Sequence, residues 1–278
     1  MPIKIITDSI SDLPESAARE FGITVVPCYI NIGEKSYLDG FEMSHQEFYN
    51  QLPSLAVLPK TASPNQKAFE GAYLQAAAEG ATHIISIHVA KAFSSVVDTA
   101  RMAADAVQCV SVTVVDSGTV SMGMGFLAMA AAQAATAGRS VAEIVSLLKA
   151  KAERTIIFVK LDTVDYLRRS GRATAIQAGL ATFLHIFPVL RIYQGVVDLE
   201  RVRTQARAFE RLLEMAEAYA PLEDLAVMHT NCLEKAEMIR EKVEHLLPNR
   251  KIWVGEATPA IGAHVGPDGI GLVCVRSE

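Results

Sequence analysis

The tightest constraint on this chain's fold is the rhythm of its first half, where short β-rich runs alternate with well-signed helix starts. Ile3–Ile6, Thr24–Ile30, His83–Ile87 and Ser111–Val115 are rich in β-branched residues and read as strands. Asp12-Leu-Pro-Glu15 sets a capping aspartate before a proline and a glutamate, and Gly22 stops that helix. Ser63-Pro-Asn-Gln66 reads as a capping box with proline at the first helical position, closed by Gly80. Ser44 to Glu47 and Ser140 to Glu143 repeat the signal. Strand and helix alternating through short loops make crossover connections, and these imply an α/β layer with a parallel sheet.

The second half has a different pattern. Thr155–Val159 reads as a strand, followed by a short helix near Asp162–Ser170 and an apolar helix over Ala175–Phe187. Val189–Tyr193 and Val196–Leu199 face each other across Gln194-Gly195, a hairpin turn pair. A long amphipathic helix (Thr204–Tyr219), a strand (Leu225–His229), a helix (Leu233–Leu246) and two further strands follow. Hairpins mixed with helices predict an α+β domain with a mixed or antiparallel sheet. The expected division falls near Ala152–Thr155, giving an α/β domain over 1–153 and an α+β domain over 154–278.

Composition narrows the function classes. Half of the 278 residues are apolar, 21% are charged and the formal net charge is −5. A mildly acidic chain without basic blocks is a poor match for nucleic acid or an anionic membrane surface. The opening segment reads directly as a strand, with no basic stretch before a long apolar one, so no signal peptide is expected. Four scattered cysteines without a CxxC pair and histidines without ligand spacing predict a cytoplasmic chain with no metal and no cofactor.

Polar groups gather in two places. Thr7-Asp8-Ser9, Thr61-Ala62-Ser63, Ser94-Ser95 and Asp116-Ser117-Gly118-Thr119 fall where strands of an open α/β sheet end and helices begin. Each can be read as ordinary helix capping, and together they can be read as a site for an anion or polar head group. The second place is Pro259 to Gly271, where four glycines and two prolines surround His264 in what reads as a rigid loop. That histidine could donate to a carboxylate or phosphate, or to a local carbonyl. Gly123-Met-Gly125-Phe-Leu-Ala128 fits the dinucleotide pattern G-x-G-x-x-A, but Asp116 to Met122 separate it from the preceding strand, which excludes that reading. No phosphate-cradling G-x-x-x-x-G-K-[ST] loop is present.

Taken in order, several motifs resemble the DegV family over essentially the whole chain. They are Thr7-Asp8-Ser9, Thr61-Ala-Ser-Pro64, Val115-Asp-Ser117 with Ser121-Met-Gly123, Leu161-Asp-Thr163-Val-Asp-Tyr166-Leu-Arg-Arg-Ser-Gly171-Arg172, and Ile261-Gly-Ala-His264-Val-Gly-Pro267. That family resembles the acyl-binding subunits of bacterial fatty acid kinases. The resemblance implies a long-chain fatty acid held in a tunnel between the two domains, with its carboxylate presented to a separate kinase. The chain would then be a carrier without its own ATP site. The resemblance implies that Thr61, Ser63, Ser94 and His264 hold the carboxylate. Ala62 stands where the family has a second hydroxyl, and Phe93-Ser94-Ser95-Val96-Val97 replaces its Leu-Ser-Gly-Thr-Tyr segment. Arg172 and Arg203 fall where the family has basic residues near the pocket mouth, facing a phosphoryl group or the kinase. Met122, Phe126, Leu180, Phe183, Leu184 and Phe187 are the expected tunnel lining, flexible Met suiting a variable alkyl chain. The alternative is a serine hydrolase or acyltransferase using Ser94 with His264, for which no G-x-S-x-G elbow is present.

Overall fold

A computed structural model describes residues 2–171, 186–248 and 250–278. Strands β1 (Ile3–Asp8), β2 (Ile23–Val26), β6 (His83–His88) and β7 (Ser111–Asp116) form a wholly parallel sheet in the order β2-β1-β6-β7. Helices α1 (Glu15–Phe21), α3 (Gln66–Ala78) and α4 (Val96–Ala106) supply its crossovers. The segment read as one strand over Thr24–Ile30 is two. Pro27 interrupts it, and β3 (Tyr29–Ile32) leaves to pair with β4 (Lys35–Leu38) and β5 (Lys60–Ala62) in a small antiparallel sheet. Helix α2 (His45–Gln51) precedes β5 and starts on the expected Ser44–Glu47 capping box.

The second large sheet has six strands in the order β10-β9-β8-β13-β11-β12. Strands β8 (Thr155–Lys160), β9 (Phe187–Tyr193), β10 (Val196–Val202), β11 (Leu222–His229) and β13 (Ile270–Arg276) pair antiparallel, and β12 (Trp253–Glu256) runs parallel to β11. The β9–β10 hairpin turns at Gln194-Gly195, both with positive φ (49° and 74°), the geometry a two-residue type I′ turn demands. Helices α8 (Gln205–Tyr219) and α9 (Leu233–Val243) cover the outer face, with Leu212, Ala216, Ala236 and Ile239 packed on Ile156, Phe158 and Leu272.

Helix α5 (Met122–Thr136) lies between the two large sheets, in contact with β1 and β6 on one side and β8, β11 and β13 on the other. A helix with sheets on both faces must be apolar all round, which explains its Ala/Met composition. Met122 and Phe126, expected to line a tunnel, are each 1% exposed in this core and do not line the cavity described below. Gly123 and Gly125 serve packing: a Cβ at Gly123 would come within 2.7 Å of Thr119 Oγ1, and one at Gly125 within 3.1 Å of the Ser11 carbonyl. Helix α6 (Val141–Glu153) packs on α5 from the Ser140–Glu143 capping box. No helix among the described residues is long and apolar enough to cross a membrane.

Candidate ligand site at the seam of the two sheets

One apolar cavity lies against the inner face of the six-stranded sheet. Its floor is Ile157 and Val159 of β8, Leu190 and Ile192 of β9, Met228 of β11 and Val273 of β13. Ile10, Val89, Phe93, Val120 and Ser121 come from loops that follow strands of the parallel sheet. Helix α10 (Pro259–Val265) adds Ala260, Ile261 and His264 to the wall. Its volume is about 170 Å³, comparable with ~150 Å³ apolar cavities that stay dry and take up hydrocarbon.

The polar groups converge at one part of this wall. Thr61, on β5, is placed by its pairing opposite Ile30, and its Oγ1 lies 3.0 Å from His264 Nε2. Which of the two donates depends on the imidazole tautomer. Ser94 lines the cavity just before α4, with its Oγ 3.5 Å from that of Ser63, and Ser63 is 3.1 Å from Ser95. Ser63 does not cap α3, as its capping-box pattern suggested. Asn65 does, accepting the Ala68 N–H at 2.9 Å, so the Ser63 hydroxyl is turned to Ser94 and Ser95. Thr61, Ser94 and His264 all line the cavity, and Ser63 stands behind Ser94. His264 therefore faces Thr61, and no hydrogen bond joins it to Ser94 of the kind a nucleophile–base pair would show.

The other hydroxyl-rich segments serve the fold. Asp8 accepts from the Ile10 N–H and pairs with buried His88 at 2.9 Å, and Thr7 donates to the Ile87 carbonyl. The Ser117 hydroxyl donates to the Thr119 carbonyl and accepts the Thr119 N–H. Phe187, expected on the tunnel wall within an apolar helix, opens strand β9 and packs with Val189, Val202 and Ala208 under α8. It is Leu190, Ile192 and Val197 of the hairpin that reach the cavity. Arg203 is exposed beyond β10. Arg172, Leu180, Phe183 and Leu184, with most of the apolar helix read over Ala175–Phe187, lie outside the described residues.

His264 stands on a helix, where a glycine-rich loop was expected, and the glycines explain the difference. Gly262 lies flat against the ring of Tyr49, where a Cβ would come within 2.7 Å of Cε1, and Gly266 (φ 78°) lies against Tyr166 of α7 (Asp165–Arg169). Tyr49 is fully buried and donates its hydroxyl to the Ala257 carbonyl at 2.7 Å. The helix is also held at its start. Asp12, which the sequence pattern placed as the cap of α1, has φ 49° and turns away from that helix. It accepts the Thr258 N–H at 2.8 Å and the Ser121 hydroxyl at 2.5 Å. Asp39 accepts the Ala260 N–H at 3.3 Å and the Ser9 hydroxyl at 2.6 Å. Burial pushes Asp12 up to about 7 and Asp39 up to about 6, against the hydrogen bonds that favour ionisation. Neither aspartate carries a sequence signal for this role, because their partners lie more than 200 positions away.

A family model described as an uncharacterised protein of the DegV family matches residues 2–277. A DegV domain-containing protein of Streptomyces coelicolor is 36% identical over 276 residues, covering 98% of this chain and 97% of that protein. Among solved structures, a DegV family protein from Thermus thermophilus, described as binding fatty acid, superposes with a TM-score of 0.88 at 28% identity over 99% of each chain. DegV of Bacillus subtilis, described as a fatty acid binding protein, superposes with a TM-score of 0.90 at 26% identity, again over 99% of each chain.

Proposed function

The chain belongs to the DegV family, and on that premise we propose that it binds a long-chain fatty acid and presents the carboxylate to a separate kinase, which converts it to an acyl phosphate. The observation that carries this reading is one apolar cavity with Thr61, Ser94 and His264 on its wall. Each buried methylene of a tail contributes about 0.8 kcal/mol, so a long chain gains affinity without specific contacts. The carboxylate is the costly group to bury, and it needs hydrogen-bond donors. Thr61 and Ser94 hydroxyls and the His264 imidazole supply them, with Ser63 orienting Ser94. Arg172 and Arg203 are the candidates for meeting the transferred phosphoryl group or the kinase. In the transfer, a carboxylate oxygen would attack the terminal phosphorus of ATP held by the partner, and ADP would leave.

The two-part division at 153/154 is supported by the confinement of the parallel sheet to residues 3–116 and of the six-stranded sheet to 155–276. A cytoplasmic location is supported by four cysteines that are all free thiols.

The test pairs palmitate with hexadecanol, which share a tail and differ in the head group, and measures both by titration calorimetry. The parent should bind both, and His264→Ala should bind palmitate about 10- to 100-fold more weakly, as expected for a hydrogen bond to a charged group. Its hexadecanol affinity should change less than about threefold. Phosphorylation of the bound acid by a partner kinase should slow in the same variant. Failure of the parent to bind palmitate at micromolar concentration, or covalent labelling of Ser94 by a fluorophosphonate, would overturn the reading.

A further inference from the structure

The buried carboxyls behind the cavity wall have no role in the reading above. Asp12 is 5% exposed and Asp39 1%, and both come from loops of the first 40 residues. Their outer oxygens accept the Thr258 and Ala260 N–H groups, at the start of the helix that carries His264. Their other oxygens are held by the hydroxyls of Ser121 and Ser9, and Ser9 also accepts the Cys28 N–H at 3.1 Å. Ser121 is itself a cavity-lining residue at φ 55°, ψ −150°, a backbone region that side chains rarely adopt. Asp12 therefore grips the cavity wall twice, through Ser121 and through α10.

We infer that Asp12 and Asp39 are positioning residues for the head-group pocket: by fixing the first turn of α10 they set where His264 meets the ligand carboxylate. The inference rests on the fatty acid reading. His264 is six residues beyond Thr258, about 9 Å along the helix axis, so the pair acts through the helix and not by touching the ligand. The titratable groups around the pair are Asp8 with its partner His88, the Cys28 thiol, and Tyr49 with Glu256 beyond it. Burial and neighbouring carboxylates raise the Cys28 and Tyr49 groups, which stay neutral, and no lysine or arginine side chain is among these neighbours. The charge on the pair is balanced by backbone N–H groups, whose bonds to an ionised carboxyl are roughly twice as strong as to a neutral one. The Thr258 and Ala260 N–H bonds favour the ionised carboxyls, so the bonds to α10 strengthen as the pair ionises, although burial makes that ionisation costly to the fold as a whole.

Palmitate and hexadecanol affinities of the parent, Asp12→Asn and Asp39→Asn, taken from pH 5.5 to 8.5, test this. Comparing proteins at one pH cancels the ligand's own ionisation. At pH 8.5 each variant should bind palmitate about tenfold more weakly than the parent, with hexadecanol within about twofold, as loss of a charge-assisted bond implies. The palmitate gap should close toward pH 5.5, where the parent's carboxyls are protonated too. Ser9→Ala removes a donor that favours ionised Asp39, so its acid-side loss of palmitate binding should move to higher pH. This variant decides the matter if the Asn substitutions prevent folding, and an unshifted profile overturns the inference. Parent-like or tighter palmitate binding by the Asn variants at pH 8.5 also overturns it, since direct charge repulsion would act in that sense. Equal weakening of both ligands does so as well. A parent that binds neither ligand removes the fatty acid reading itself, and the inference with it.

Discussion

Substituting Gly262 by alanine sets two effects of opposite sign against each other, and the structure decides between them. Gly262 is inside α10, and alanine in a helix interior is worth about 1 kcal/mol over glycine. A Cβ there meets the Tyr49 hydroxyl and lies 2.7 Å from Cε1 and 2.8 Å from Cζ. Tyr49 cannot yield cheaply, because it is fully buried, stacks edge-on with Phe48 at 5.2 Å and bonds the Ala257 carbonyl. Overpacking of this kind costs about 1–3 kcal/mol, and a displaced hydroxyl leaves a buried carbonyl unsatisfied at about 1–3 kcal/mol more. After the propensity gain, the net destabilisation is about 3 kcal/mol. An unfolding entropy of about 0.6 kcal/mol/K for a chain this long makes that a Tm drop of about 5 °C. Thermal and urea unfolding of Gly262→Ala, Tyr49→Leu and the double variant measure it. The double variant should be more stable than additivity allows by about 1 kcal/mol or more, since removing the ring removes the clash. A Tm rise in Gly262→Ala, or strict additivity, would refute the argument that Tyr49 sets the seat of α10.

Two other outcomes follow from the same geometry. Gly271 lines the cavity beside Val159 and Met228, and a Cβ there makes only ordinary contacts of 3.6 Å or more. Gly271→Leu should therefore fold and fill the space, lowering affinity for an 18-carbon acid by about tenfold or more relative to a 12-carbon one in competition titrations, given about 0.8 kcal/mol per displaced methylene. The second outcome concerns stability against pH. Folded-state values of about 7 for Asp12 and about 6 for Asp39 lie above their usual 3.8, so the native protein holds extra protons between about pH 4 and 7. Their contribution must fall as pH rises through that window, by about 4 kcal/mol for Asp12 alone. The stability difference between Asp12→Asn and the parent, from urea unfolding at each pH, should grow in the variant's favour from pH 4 to 7. Burial lowers the values of His45, His83 and His229 and gives an opposite trend, which cancels in that difference. A flat difference would contradict the burial assigned to Asp12.

What was legible in the sequence was local. The Ser44–Glu47 and Ser140–Glu143 capping boxes, the Gln194-Gly195 hairpin and strands β1, β6 and β7 depend on residues within a few positions, and they form where the pattern puts them, whereas the run over Thr24–Ile30 divides at Pro27. Asp12 shows where locality ends. Its spacing to Pro14 and Glu15 fits a helix cap, but a left-handed backbone at Asp12 sends the side chain to Thr258. Helix α10 was hidden for a related reason. Glycine reads as a breaker unless a large ring lies under it, and Tyr49 and Tyr166 come from distant segments. Met122 and Phe126 show a third limit, since an apolar helix between two sheets has no periodicity to separate core from cavity wall. Thr61, Ser94 and His264 could be brought to one site from sequence only through the ordered motifs, because no local rule links positions 61, 94 and 264.

The cavity wall runs from Ile10 to Val273, so the unfolded chain has nothing resembling it, and a ligand binds only the folded form. Bound ligand then adds to stability by mass action, about 2.7 kcal/mol at a free concentration of about a hundred times Kd. That is comparable with what the ionised Asp12 and Asp39 remove near neutral pH, the order of a few kcal/mol that their raised values imply. Two buried carboxyls without cationic partners would be a poor choice for stability alone. They make sense where a short helix must present one histidine at a fixed place and where the occupied cavity restores the stability they remove. Strain at Ser121, the flat seats of Gly262 and Gly266 and the aspartate pair all act on that one helix. On the fatty acid reading, the tail can be held by any apolar surface of sufficient length, whereas the head needs donors fixed to within about 0.5 Å. The costly features of the fold are therefore gathered at α10 and its supports, and the apolar residues lining the cavity floor are ordinary members of the sheet.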